Sequence, residues 1–213
     1  MSFRLLLLSD IHSQIITLDA ILQKIKTLKP KVDCCLIAGD VTNFGGSEDA
    51  IIIMAKILEF IPKIYYCLGN CDSLVKTINI QNCLLLNNSF IHESFFSIVG
   101  ISGHKPFPNL SIFEKLKKQK KRILLLTHAP PYNTLADLVG VNKHAGSKNI
   151  RKLIDDYSEN IILSVCGHIH ESRCLQQLGS NTIINPGPVT TGNYAIVDIT
   201  SSALSGELCN LYS

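Results

Sequence analysis

Seven side chains that commonly ligate metals recur at one kind of place in this sequence, just beyond an apolar run. Leu5-Leu-Leu-Leu8 leads to Asp10 and His12, Leu36-Ile-Ala38 to Gly39-Asp40, and Tyr65-Tyr-Cys-Leu68 to Gly69-Asn70. Leu124-Leu-Leu-Thr127 leads to His128, and Leu163-Ser-Val-Cys166 to Gly167-His168-Ile169-His170. Two carboxylates, one amide and four imidazoles suit borderline divalent cations. A calcium cage would be oxygen alone, and a structural zinc site would favour thiolates. Two cations about 4 Å apart repel, and a carboxylate shared between them offsets the repulsion and fixes their spacing. Water held by such a pair becomes hydroxide near neutral pH, and the cations can clamp the oxygens of a phosphoryl group during in-line attack.

Each residue alone has an ordinary reading. An Asp after a strand is commonly a turn or cap residue, and Asn70 before Cys71-Asp72 reads equally as a turn. It is the conjunction of five such strand ends that points to a metal site.

To converge, these residues need a sheet whose strands end at one rim, where open α/β sheets bind their ligands. The apolar runs supply strands over 5–8, 33–38, 64–68, 123–127 and 161–166. In extended chain Asp10 and His12 face one side. Ser13 is expected to cap a helix to about Leu28, and Ser47 a second to about Phe60, with Glu48 and Asp49 in its first turn. The alternation argues a parallel sheet covered by helices. The middle is β-rich (83–86, 90–92, 95–101), and helices are expected over 110–121 and 146–157. Between them, residues 129–145 form a long loop, of a length that is usually functional. Strands near 173–178, 182–184, 194–199 and 203–209 should pair antiparallel.

The 213 residues are 46% hydrophobic and 17% charged, a globular composition with room for one well-buried domain over 1–213. A net charge of +3 is too small to demand nucleic acid. No run reaches the roughly 18 apolar residues of a membrane span. Residues 3–8 are too short for a secretory core and are followed by Asp10, so a cytoplasmic location is expected. The eight cysteines include no Cys-x-x-Cys pair and are expected to be reduced and structural. Lys115, Lys117, Lys118, Lys120 and Lys121 read as a solvated helix face, or as a surface for a phosphate-rich partner.

The ordered set Asp10-x-His12, Gly39-Asp40, Gly69-Asn-x-Asp72, His128 and Gly167-His-x-His170 resembles the calcineurin-like metallophosphoesterases. The likeness runs from Asp10 to His170 and on into Asn185-Pro-Gly-Pro188. It implies an α/β fold, a four-layer αββα sandwich, with a two-metal site that hydrolyses phosphate mono- or diesters. By motif, Asp10, His12 and His170 would hold one metal, Asn70, His128 and His168 the other, and Asp40 would bridge them. Asn70 would also touch the substrate phosphate. One position departs. Many members carry Gly-Asn-His-Asp or Gly-Asn-His-Glu, whose His serves as the acid for the leaving group, whereas this chain has Cys71. Compact bacterial and archaeal phosphodiesterases look similar there. A thiol is a poorer donor than an imidazolium at neutral pH, so His144 and His104 stand beside Cys71 as candidate acids. Asp72 is left with the loop's hydrogen bonds.

The resemblance thus implies a metal-dependent phosphodiesterase acting on a small phosphate ester, with no requirement for nucleic acid or membrane. Manganese is the first choice of metal, with iron, zinc, nickel and cobalt as alternatives. A phosphomonoesterase of the same fold and a non-enzymatic protein-binding scaffold are the rival readings, and a homodimer is open beside a monomer. A protein phosphatase is disfavoured, because its Gly-Asp-x-x-Asp-Arg-Gly reads here Gly39-Asp-Val-Thr-Asn-Phe-Gly45.

Overall fold

The side-chain parity of the first strand sets the layers of the molecule. In a computed structural model, which describes residues 2–76, 78–103 and 105–213, β1 spans Ser2–Leu8. Leu6 and Leu8 point into one apolar core, and Leu5 and Leu7 into another on the opposite face. A strand buried on both faces needs an unbroken apolar run, and the four leucines provide it.

The first core is closed by two helices, α1 (Ile15–Lys26) and α2 (Ser47–Leu58), whose Leu18, Ile21, Leu22, Ala50, Ile53 and Ile57 are buried there. The second core lies between two six-stranded sheets. One sheet comprises β1, β2 (Cys34–Ala38), β3 (Ile64–Cys67), β4 (Cys83–Leu85), β13 (Asn193–Thr200) and β14 (Leu204–Asn210), in the order β14-β13-β1-β2-β3-β4. The other comprises β5 (Ser89–His92), β6 (Phe96–Ile101), β7 (Arg122–Thr127), β10 (Ile161–Val165), β11 (Cys174–Leu178) and β12 (Asn181–Asn185), in the order β11-β12-β10-β7-β6-β5. On its outer face, Val99, Ile123, Leu125 and Ile161 pack against α3 (Leu110–Lys118) and α4 (Lys148–Asp156). Helices, sheet, sheet, helices: the expected αββα sandwich is present.

Local departures have local causes. Ser13 does not cap α1. Its backbone is left-handed (φ 59°), and Gln14 takes the cap position without a side-chain bond. Ser47 is the first residue of α2 rather than its cap. The Asp49 carboxylate instead accepts from Gly46 N at 3.0 Å, and Ser47 Oγ accepts from Lys76 N. Ser147 does cap α4, accepting from Ile150 N. Helix α3 stops at Lys118, short of the expected 121, because the chain turns left-handed at Lys120. Its charge is partly spent on rings: Lys115 lies over Phe90 and Lys117 over Tyr157. The C-terminal strands are antiparallel within β11–β12 and β13–β14, but β12 runs parallel to β10, which makes the second sheet mixed.

The loop expected over 129–145 is ordered around a buried carboxylate. Asp137 accepts from the backbone N of Asn133, Thr134 and Gly146 and from His144 Nδ1. A 3-10 turn (Leu135–Asp137) and a short pair of strands, β8 (Leu138–Val139) and β9 (Lys143–His144), result. All eight cysteines are free, and six are buried. Among the described residues no helix is long and apolar enough to cross a membrane.

Candidate metal centre

Strands β1, β2 and β3 are parallel neighbours, as are β7 and β10 in the facing sheet. Their carboxyl ends therefore open at one rim, and every residue of the set singled out above leaves from one of them. Asp10 and His12 reach it by a route other than the extended one expected. Both backbones are left-handed (φ 52° and 46°), because the chain turns sharply to donate from Asp10 N to Gly39 O and from His12 N to Asp40 O. Asp40 (φ 50°) and His168 (φ 71°) are left-handed as well. Non-glycine residues rarely adopt this conformation, and several together mark a site that the surrounding structure holds in place.

The donor atoms fall into overlapping groups. In the first, Asp10 Oδ1 lies 3.3 Å from His170 Nε2 and 3.9 Å from His12 Nε2. In the second, His128 Nε2 lies 3.4 Å from Asp40 Oδ2, 3.0 Å from Asn70 Oδ1 and 3.2 Å from His168 Nδ1. Asp40 Oδ2 is also 3.9 Å from His12 Nε2, so that carboxylate stands between the groups. Metal bonds of about 2.1 Å at right angles put neighbouring ligand atoms about 3 Å apart, and these spacings are of that size.

The chemistry of the set fits cations too. Asp10 and Asp40 are both buried, within 4.8 Å of each other and of His128 by their ligand atoms. Among the described residues no Lys or Arg is paired with either, and two buried like charges are costly without a positive partner. His12 Nε2 is buried without a hydrogen-bond partner among the described residues. His128 Nδ1 lies 2.8 Å from Ala38 O, a contact that orients the ring with Nε2 toward Asp40 and Asn70, as the second nitrogen orients metal-ligating histidines. Burial pushes the Asp40 carboxyl up, but the hydrogen bond and charge of His128 pull harder and hold it at about 2. Burial opposes a charge on His128, yet Asp40 raises its pKa. His170 is raised by its bond to Asp10.

Supporting residues hold these side chains. Asp72, expected to serve only its loop, ties two loops together, accepting from Val41 N and Thr42 N beyond β2 and from Gly69 N beyond β3. Ser9 Oγ and His168 N donate to Asp10. Asn185, first of the Asn-Pro-Gly turn, donates to the carbonyl of Ile169, between His168 and His170. A Cβ on Gly69 would collide with the Asp40 carboxylate, and one on Gly167 with Ser9 and Asp10, so only glycine allows these approaches. A glycine just before three of the ligands was the sequence signal for this crowding. Nothing in the sequence signalled Ser9 or Asp137.

The candidate acids separate. Cys71 Sγ lies within 4.8 Å of ligand atoms of His12 and Asp40. Burial, followed by the Asp40 charge, pushes its thiol up to about 12. His144 is held 2.7 Å from Asp137 and packs on the ring of Tyr132, contacts that include none of the ligand set. His104 lies outside the described residues.

Residues 3–172 match the family model of the calcineurin-like phosphoesterases. An uncharacterized protein of Methanocaldococcus jannaschii is 38% identical over 180 residues, covering 77% of this chain and 81% of that protein. A protein of Arcobacter nitrofigilis named "Probable glycerophosphodiester phosphodiesterase GpdQ" is 28% identical over 163 residues. That match covers 68% of this chain and 59% of the relative. The crystal structure of TT1561 of Thermus thermophilus shares the fold, with a TM-score of 0.72 at 14% identity over 99% of this chain and all of that one. The model match extends across most of the chain and through all five of these strand ends: the protein belongs to the calcineurin-like phosphoesterases.

Proposed function

We propose that this protein is a two-metal phosphodiesterase, with manganese the first metal to test. The observation that carries the proposal is the rim at which Asp10, His12, Asp40, Asn70, His128, His168 and His170 meet at 3.0–3.9 Å. On this reading Asp10, His12 and His170 hold one ion and Asn70, His128 and His168 the other. Asp40 holds both. Two bound divalent cations supply an activated water and neutralise charge that develops on the phosphoryl oxygens.

The protein's own groups orient that chemistry. Ala38 O and Asp72 fix His128 and the loops beyond β2 and β3. Asn70 Nδ2, which donates to Cys71 Sγ, is the amide group available to a phosphoryl oxygen. Cys71, rather than His144, occupies the acid's position, and its tightly held proton makes it a weak one.

The name of the Arcobacter relative favours diesters over monoesters. A full set of ligand residues argues against a non-catalytic scaffold. The free, mostly buried cysteines suit a reducing compartment such as the cytoplasm. The test is a panel of mono-, di- and cyclic phosphate esters assayed with manganese, iron, zinc, nickel and cobalt. Turnover of diesters above monoesters is expected. No turnover of any ester with any metal would overturn the proposal.

A further inference from the structure

A groove of about 470 Å³ lies between the segment after β6 and the start of α4. His168, one of the proposed ligands, lines it together with Lys105, Pro106, Ser147, Lys148 and Asn149. The two walls are tied, because Asn149 donates to Pro106 O at 3.2 Å. Lys148 is held over the ring of Tyr132, 5.3 Å from its centre. Among the described residues neither Lys105 nor Lys148 has a carboxylate partner, whereas Lys56, Lys63 and Lys152 each have one. No acidic side chain lines the groove.

Phe44 and Leu74, on the loops after β2 and β3, are each 63% exposed, and the stretches 39–46 and 68–75 beside Asp40 and Asn70 carry no cation. Lys105 and Lys148, by contrast, line the same groove as His168. An ester whose sole charge is at the reacting phosphate gives these lysines nothing to bind. One with a second anionic group does.

We propose that Lys105 and Lys148 form a subsite for a second phosphate on the substrate, on the side of the metal rim marked by His168. The inference rests on the phosphoesterase reading and narrows its substrate to small esters bearing a further phosphate. Such lysines are partly solvated, so the pair together is expected to contribute roughly tenfold in affinity, weakening as salt rises.

The test uses probes that differ by one phosphate. Thymidine 5'-(p-nitrophenyl phosphate) is compared with its 3'-phosphorylated form as substrates of the manganese-loaded protein. Binding of thymidine 5'-monophosphate and thymidine 3',5'-bisphosphate to the same protein is measured by calorimetry. The 3'-phosphate is expected to raise both kcat/KM and affinity about tenfold, and the Lys105→Gln, Lys148→Gln double variant to bring both ratios close to one. Equal binding of the two nucleotides by the native protein would overturn the subsite, whether or not either ester is cleaved. So would a preference that survives in the double variant. If neither ester is cleaved but the bisphosphate still binds tighter through the lysines, the subsite stands and the panel of esters and metals above decides the esterase reading.

Discussion

The thiol of Cys71 sits beside Asp40 in a setting that burial makes hostile to its anion, and its pKa rises to about 12. A group that holds its proton this firmly gives little help to a departing alkoxide, so turnover should fall steeply as the leaving group's pKa rises. Cys71→His puts an imidazole, of ordinary pKa about 6.5, at that position and should flatten the dependence, with a gain of about 100-fold for alkyl leaving groups. A Brønsted plot over a series of esters measures it, and an unchanged slope would count against the role given to Cys71. On the proposed reading Asp40 is the other residue on which the chemistry turns. Its Oδ2 faces both His12 and His128, and its Oδ1 accepts from Cys71 N at 2.8 Å. Asp40→Asn keeps the shape and removes the charge. Activity should fall at least about 100-fold, and metal content, read by elemental analysis, should drop with it. Retention of both would mean that the bridge lies elsewhere.

At the scale of elements, the ligands depend on loops that are fastened to one another. Asp72 is buried and satisfies backbone donors of Val41, Thr42 and Gly69. Asp72→Ala strands these donors at a cost of about 2–4 kcal/mol. In a protein of this size that lowers Tm by roughly 10 °C, measurable by thermal unfolding of the metal-free protein. A shift of under 2 °C would show that water replaces the carboxylate. The strands, the helices and the order of the candidate ligands along the chain were legible from sequence because apolar runs and the polar residues that end them are local signals. The fastenings were not. Asp72 and Val41 are 31 residues apart, and Asn185 and Ile169 are 16 apart. Which distant backbone a carboxylate or amide will meet depends on the folded topology. Asp10 and His12 were placed together by extended-chain geometry, but they meet through left-handed turns, set by hydrogen bonds to Gly39 and Asp40. The 129–145 loop read as structureless because its organiser, Asp137, is one ordinary acid in a polar stretch.

At the scale of the molecule, the αββα order follows from alternate residues of β1 and its neighbours feeding two different cores. The buried acidic pair at the rim makes the metal-free state less stable than the loaded one. Each ion present at 100 times its Kd adds about 2.7 kcal/mol, or roughly 5–10 °C in Tm. Manganese titration followed by scanning calorimetry should show this rise, and excess EDTA should reverse it. A Tm indifferent to manganese, zinc and cobalt alike would mean that the rim does not bind divalent ions.

Three of the contributing strand ends belong to one sheet and two to the other. Neither half carries a complete set. An ion at this rim is thus a clasp across the seam of the sandwich, and its departure would slacken both leaves of the book at the same moment.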